Sequence, residues 1–216
     1  MKAPKIKFCG ITREQDAELA VSLGAWAVGL IMWPNSPRAV PLDRAAVLAA
    51  SLKRRIEVVG VFVNPTLDEL SSVADAVELT MIQLHGQEGP SFCIEAARRT
   101  GCKVIKAARV HSRADIQALA AYHTDFHLLD SYKPGVPGGT GETFTWELVG
   151  HHRKVPLILS GGLTPENVGE AITMVRPFAV DVSSGVESAP GYKDPERMRA
   201  FAQAVASTAT PAADAA

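Results

Sequence analysis

Eight short apolar runs, rich in β-branched residues, recur along the chain at a nearly even spacing. The runs are Ile6–Phe8, Val28–Met32, Val58–Val63, Met81–Leu84, Val104–Ala107, Phe126–Leu129, Leu157–Leu159 and Ala179–Val182. Their starts lie roughly 20 to 30 residues apart, which leaves room for one helix between consecutive strands. Strands that alternate with helices predict a parallel sheet, and strands that are apolar throughout predict burial on both faces.

The number of these units favours a closed barrel. Eight βα units predict an α/β fold, a single-domain (β/α)8 TIM barrel, over residues 1–206. The main competitor is a doubly wound open sheet, which usually places a glycine-rich phosphate turn after its first strand. Here the glycine-rich turns follow the seventh and eighth runs instead. Residues 207–216 contain no large apolar side chain, so we expect a disordered C-terminal tail there.

Charge, hydropathy and cysteine content exclude several classes of protein. The 216 residues include 22 Lys and Arg against 23 Asp and Glu, without a long run of either sign, so no nucleic-acid partner is expected. No apolar stretch suits a membrane span or a secretory signal, so we expect no membrane association. The three cysteines, Cys9, Cys93 and Cys102, cannot all pair within the chain, which favours a reducing cytoplasm. No histidine spacing typical of a metal site occurs.

Helix starts are predicted from local capping signals. Thr12 with Gln15 three residues later has the pattern of a capping box. Three further sites place a capping residue directly before proline: Asn64, Thr164 and Asp194. Each signal lies a few residues beyond a predicted strand, as a βα unit requires.

Two glycine-rich turns lie where barrels of this kind hold phosphate. The active site of such a barrel lies at the carboxyl ends of the strands, and the loops after strands seven and eight commonly bind a phosphate. Gly161 and Gly162 follow the seventh run, and Ser183, Ser184 and Gly185 follow the eighth. Glycine lets backbone N–H groups approach an anion. The alternative is that these glycines only make tight turns.

A thiol and a carboxyl lie at the predicted ends of strands one and six. Cys9 becomes a useful base once nearby positive charge favours its thiolate. Asp130 follows a very apolar run, and a carboxyl in such surroundings tends to keep its proton. Taken alone, Cys9 could be inert and Asp130 could be a helix cap or an ion-pair partner. Together they supply the base and the acid needed to move a proton between carbons.

Three further features lie on the same predicted rim. Arg38 lies in a loop restricted by Pro34 and Pro37, where a guanidinium could bind a carboxylate through two hydrogen bonds or could simply be solvated. His85 follows strand four, where it could contact substrate or satisfy a hydrogen bond of the rim. The loop 133–141 is glycine-rich and is expected either to cover the pocket or to be a long connection.

An ordered series of motifs resembles one enzyme family along nearly the whole chain. The motifs are KFCGIT from Lys7, SPR from Ser36, QLHG from Gln83, LLD from Leu128, GGTGETFTW from Gly138, SGGLTPENV from Ser160, DVSSGVE from Asp181 and PGYKD from Pro190. Together they resemble phosphoribosylanthranilate isomerase of tryptophan biosynthesis over roughly residues 5 to 205. Ser160 and the Met32–Trp33 pair depart slightly from the usual pattern.

The resemblance implies an Amadori rearrangement that needs no cofactor. N-(5-phosphoribosyl)anthranilate, a small phosphorylated substrate, would become 1-(2-carboxyphenylamino)-1-deoxyribulose 5-phosphate. Asp130 would be the general acid and Cys9 the general base. Arg38 would hold the anthranilate carboxylate, and the backbone around Gly162 and Ser184–Gly185 would hold the phosphate. Whether the chain is a monomer or a homodimer stays open.

Two other functions compete with this interpretation. The analogous isomerase of histidine biosynthesis acts on a bulkier substrate with two phosphates and is expected to carry an aspartate after strand one, so Cys9 argues against it. A relative with both activities is conceivable. A barrel without activity, kept for phosphate binding or interaction, would have lost the base or the acid, whereas Cys9 and Asp130 are both present.

Overall fold

A closed parallel barrel forms the centre of the protein. The structure, a computed structural model, describes residues 2–131, 149 and 154–209. The eight barrel strands pair in chain order and β1 pairs with β8. They are β1 Lys5–Cys9, β2 Ala27–Ile31, β3 Glu57–Phe62, β4 Met81–Leu84, β5 Lys103–Val110, β6 Phe126–Ser131, β7 Leu157–Leu159 and β8 Ala179–Val182. The predicted (β/α)8 barrel is therefore confirmed.

Helices alternate with these strands through the described part of the chain. They are α1 Glu14–Ser22, α2 Leu42–Leu52, α3 Leu67–Val77, α4 Pro90–Thr100, α5 Arg113–Ala118, α6 Val168–Val175 and α7 Pro195–Ala206. After β8, a 3-10 turn, Ser184–Val186, leads into a small antiparallel hairpin of β9 Glu187–Ala189 and β10 Tyr192–Lys193. In the described ranges no helix has the length and hydropathy that a membrane span requires.

The strand predictions differ from the structure mainly at polar ends. The runs β4, β7 and β8 have the predicted bounds, whereas β5 and β6 extend beyond their apolar runs. Asp130 pairs with Arg109 and Ser131 with Val110, so polar residues continue the ladder. Backbone pairing does not depend on side-chain polarity. The apolar pattern therefore predicted ends for β5 and β6 that lie before the ends of the actual strands.

Alternation along each strand separates two apolar cores. Ile6 and Phe8 of β1 belong to the large core between barrel and helices, so Lys7 and Cys9 point into the barrel. The interior core consists of Ala27, Val59, Met81, Ile105, Ala107, Phe126, Leu128, Ile158 and Ala179. Its amino-terminal end is closed by three aromatic rings, Trp26, Phe126 and Phe178, with centroids 5.3–5.4 Å apart. Apolar residues therefore fill the amino-terminal part of the barrel interior, and polar residues lie towards the carboxyl-terminal rim.

Three of the four predicted helix caps are wrong. The helix α1 begins at Glu14, and the Thr12 hydroxyl donates to the Gly191 carbonyl instead of capping. The cap of α3 is Thr66, which forms a capping box with Glu69, while Asn64 accepts a hydrogen bond from Gln87.

Of the remaining two predicted caps, Thr164 is wrong and Asp194 is confirmed. The helix α6 begins at Val168, three residues after Pro165, because Thr164 first closes a turn by donating its N–H to Asn167. Asp194 caps α7 as predicted, accepting from the N–H groups of Glu196 and Arg197. Residues 210–216 of the predicted tail 207–216 lie outside the described residues.

Candidate active site

The predicted base and acid both point into the barrel at its carboxyl rim. Cys9 is the last residue of β1 and lies two residues after the inward-facing Lys7. Asp130 is in β6, two residues after Leu128 of the interior core. The strands β7 and β8 separate β6 from β1 around the closed barrel. Both side chains therefore face the same central space, each from the end of its strand.

The Cys9 thiol is buried and surrounded by charged groups. Its residue is 7% exposed. Burial raises the pKa of Cys9 above its usual range, the ammonium groups of Lys7 and Lys193 act in the opposite direction, and the Asp181 carboxylate adds to the rise. Cys9 is thus a protonated thiol in the ligand-free protein at neutral pH, and its basicity depends on these neighbours.

A buried ion pair lies below Cys9 inside the barrel. Lys7 Nζ donates to Asp181 Oδ1 at 2.8 Å, and both residues are almost completely inaccessible to solvent. Burial alone would lower the pKa of Lys7, but the charge of Asp181 and the hydrogen bond with its carboxylate raise it. Lys7 therefore carries its positive charge. Lys7 lies in the motif KFCGIT two positions before Cys9, and Asp181 lies in DVSSGVE two positions before Ser183, but neither was predicted as a site residue.

Arg38 is held by a carboxylate of the hairpin that follows β8. Glu187 accepts from Arg38 Nε at 2.8 Å and from Arg38 Nη2 at 2.7 Å. Lys193, paired with Glu187 across the hairpin, donates to the same carboxylate at 2.8 Å. Burial would raise the pKa of Glu187, but hydrogen bonds from Arg38 and Lys193 and their charges lower it. Glu187 is therefore ionised and fixes one edge of the guanidinium.

A short relay of side chains orients the carboxyl of Asp130. Gln83 Nε2 lies 3.0 Å from His85 Nδ1, and His85 Nε2 lies 3.2 Å from Asp130 Oδ2. An amide nitrogen only donates, so Nδ1 accepts and Nε2 carries the proton that is donated to Asp130. The Asp130 side chain is 26% exposed. Its surroundings are polar, in contrast to the apolar setting that the preceding leucines suggested.

The two glycine-rich turns lie against each other. Gly161 and Gly162 have φ values of 88° and 66°, which side chains rarely adopt. A Cβ on Gly185 would overlap the Leu163 carbonyl, so only glycine permits this approach of the two loops. Among the described residues, the N–H groups of Gly161 and Gly162 have no hydrogen-bond partner. The turns thus present backbone donors that are unpaired within the described ranges, at the position expected for a phosphate.

The predicted site residues fall into two groups on the rim. Near Cys9, a Cβ on Gly10 would lie 2.8 Å from Arg38 Cδ and 3.1 Å from Ser183 Oγ, which places these side chains together. His85 and Asp130 form the second group. The predicted loop 133–141 lies outside the described residues. Within residues 2–131, 149 and 154–209, no cluster of three or more His, Cys, Asp or Glu side chains could hold a metal ion.

Fold and site together define a single-domain (β/α)8-barrel enzyme with its titratable groups at the carboxyl rim. The sequence matches the family model for N-(5'-phosphoribosyl)anthranilate (PRA) isomerase over residues 6–204. A relative with the name N-(5'-phosphoribosyl)anthranilate isomerase, from Pseudomonas fluorescens SBW25, is 49% identical over 207 residues, covering 95% of this chain and 97% of that protein. The chain therefore belongs to the PRA isomerase family.

Solved structures of the family have the same fold. The crystal structure of phosphoribosyl anthranilate isomerase from Thermotoga maritima has a TM-score of 0.87 at 42% identity, covering 94% of this chain and 98% of that one. A phosphoribosyl anthranilate isomerase in complex with reduced 1-(o-carboxyphenylamino)-1-deoxyribulose 5-phosphate has a TM-score of 0.80 at 38% identity, with the same coverage.

Proposed function

We propose that this chain converts N-(5'-phosphoribosyl)anthranilate to 1-(2-carboxyphenylamino)-1-deoxyribulose 5-phosphate in tryptophan biosynthesis, in the cytoplasm. The observation that carries the proposal is the pair of inward-facing groups, Cys9 and Asp130, at the barrel rim of a member of this family. An aldose-to-ketose rearrangement needs one group that gives a proton to oxygen and one that removes a proton from carbon.

Asp130 acts first, as the general acid. Its carboxyl proton passes to the ribose ring oxygen while the bond between that oxygen and C1 breaks. The nitrogen lone pair forms the new C1–N double bond, which gives an open-chain Schiff base. His85, hydrogen-bonded to Oδ2 at 3.2 Å, fixes the carboxyl and leaves Oδ1 to meet the substrate.

Cys9 acts second, as the general base. Its thiolate takes the proton from C2, the electrons of that C–H bond form a C1–C2 double bond, and the nitrogen recovers its lone pair. The resulting enolamine becomes the ketone when the C2 hydroxyl loses its proton and C1 gains one. Because burial keeps Cys9 protonated in the free enzyme, the step depends on the positive groups around the sulfur.

Arg38 and the two glycine turns bind the ends of the substrate. Glu187 occupies the Nε–Nη2 edge of Arg38, so the remaining N–H groups of the guanidinium can donate to the anthranilate carboxylate. The backbone N–H groups of Gly161 and Gly162, together with Ser183, Ser184 and Gly185, surround the expected phosphate position. With both ends held, the sugar lies between Cys9 and Asp130.

A direct assay tests this function against the histidine-pathway alternative. Freshly made phosphoribosylanthranilate is followed by loss of its fluorescence with the purified enzyme, beside the histidine-pathway substrate and with Cys9→Ala as an inactive control. We expect turnover of the anthranilate compound alone. Turnover of the histidine-pathway substrate only, or of neither compound, contradicts the proposal, and turnover of both identifies an enzyme with two activities.

A further inference from the structure

The buried ion pair between Lys7 and Asp181 has no direct place in the reaction described above. Lys7 is inaccessible to solvent and therefore does not touch a substrate. Taking an ammonium and a carboxylate out of water is unfavourable, and such a pair is often no more stabilising than two apolar side chains of similar volume. The position of the pair, directly below the sulfur of Cys9, indicates a role in the chemistry.

Gly29 on the neighbouring strand shows how close the groups are. A Cβ on Gly29 would lie 2.8 Å from Cys9 Sγ and 3.3 Å from Lys7 Nζ, so both atoms border the same small space above the glycine. The Lys7 ammonium donates a hydrogen bond to Asp181, and the Cys9 sulfur lies close to the same ammonium. An ammonium has three N–H donors, so it can hold the carboxylate and the sulfur at the same time.

The other charged groups that face Cys9 come from different elements. Arg38, from the loop after β2, and Lys193, from β10, both interact electrostatically with the sulfur, and they share the single carboxylate of Glu187. Asp181, from β8, balances Lys7. Among the residues the structure describes, Cys9 therefore faces three basic and two acidic side chains. A thiolate would supply the missing negative charge.

We propose that Lys7 is a positioning residue that donates a hydrogen bond to the Cys9 thiolate and so makes this buried sulfur an effective base, with Asp181 holding the ammonium in place. The proposal rests on the proposed role of Cys9 as general base. Asp181 is itself kept in place by Ser160, whose hydroxyl lies 3.4 Å from Oδ2. The two residues thus have separate roles. Cys9 contacts the substrate, and Lys7, deeper in the barrel, stabilises the negative charge of the Cys9 thiolate.

The chain contains a second buried pair that serves as a matched control. Lys106 Nζ lies 2.7 Å from Glu88 Oε2, and both side chains are at most 5% exposed. Lys106 is also a strand residue, but it lies between Ile105 and Ala107 of the interior core and so points out of the barrel. Replacing this pair removes the same charges from the opposite face of the barrel wall.

The test measures the titration of the Cys9 thiol without substrate. In a Cys93→Ala/Cys102→Ala background, thiolate absorbance is followed against pH in the parent, in Lys7→Met, in the double variant Lys7→Met/Asp181→Asn and in the control Lys106→Met/Glu88→Gln. Removing a positive neighbour disfavours the thiolate, so Lys7→Met should titrate about one to three pH units higher than the parent. The double variant should shift in the same direction by less, because it also removes the Asp181 carboxylate, which raises the pKa of Cys9. The control should titrate with the parent.

The double variant keeps the test decisive if Lys7→Met does not fold, because it leaves no unpaired buried charge. A folded Lys7 variant whose thiol titrates with the parent, or a control that shifts equally, overturns the inference. In the full-cysteine enzyme, the acidic limb of the kcat/KM profile should move to higher pH with KM unchanged. If the thiol shifts and this limb does not, the electrostatic inference stands and Cys9 is not the catalytic base.

Discussion

The two proposed proton-transfer groups on the barrel rim, Cys9 and Asp130, have very different surroundings. On the cysteine side, Cys9 is 7% exposed and is faced by five charged side chains, Lys7, Arg38, Asp181, Glu187 and Lys193. On the aspartate side, the side chain of Asp130 is 26% exposed and accepts from one imidazole. A buried thiol becomes a base only when neighbouring charges stabilise its thiolate. A partly exposed carboxyl needs mainly a hydrogen bond that holds it in the right orientation.

The largest effects on turnover are expected from replacing the two compared groups themselves, Cys9 and Asp130. Cys9→Ala and Asp130→Asn should each reduce kcat by about 10²-fold or more, because each removes one of the proposed proton-transfer groups. Steady-state kinetics on the purified variants, with circular dichroism as a control for folding, measures this. Turnover close to the parent in either folded variant would show that the group on that side has been assigned the wrong role.

A smaller effect is expected from loosening the charged side. Glu187→Gln removes the ionised partner of Arg38 and Lys193, so the guanidinium should lose its fixed orientation. We expect KM to rise about 10-fold with little change in kcat, as for a group that binds ground state and transition state alike. A fall in KM would instead mean that Glu187 competes with the substrate for Arg38.

The aspartate side should tolerate the loss of its single partner better. His85→Ala removes one hydrogen bond to Asp130, and a loss of about fivefold in kcat is expected from a contribution near 1 kcal/mol. Gln83→Leu, which leaves the imidazole in place without its partner at Nδ1, should have a weaker effect of the same kind. A change confined to KM in His85→Ala would favour direct contact between His85 and the substrate.

The smallest effect concerns the support of the cysteine side. Asp194 follows the hairpin residue Lys193 and caps α7, so Asp194→Ala should lower the free energy of unfolding by about 1 kcal/mol. Urea denaturation measures the change, with Asp194→Ser as a control that retains a capping oxygen. Equal stability of the alanine variant would show that the hairpin, and not the cap, fixes the start of α7.

The fold was predictable because its signal is repeated. Each barrel strand contains a short apolar run, and each of the eight predicted runs overlaps a strand of the structure. The caps were less predictable because a hydroxyl or amide binds whichever partner the tertiary structure brings near. The Thr12 hydroxyl donates to Gly191, which is remote in sequence, and Asn64 serves Gln87 of the next loop.

The site was predictable only where position alone was sufficient. The ends of β1 and β6 identified Cys9 and Asp130 as candidates, since the carboxyl rim of a barrel carries its chemistry. Partners across the barrel could not be found in this way. Lys7 and Asp181 are 174 residues apart, and no local pattern indicates that they form an ion pair. Alternation along the strands was the missing signal, because Lys7 and Cys9 share a face.

Gly29 limits how this protein could be made more robust. Replacing a strand glycine with alanine usually favours the folded state, because it restricts the unfolded chain. At this position the added methyl group would lie 2.8 Å from Cys9 Sγ and would have to displace the sulfur or the nearby ammonium. Gains in thermal tolerance obtained there would therefore come at the expense of turnover, so engineering for robustness should leave this position unchanged.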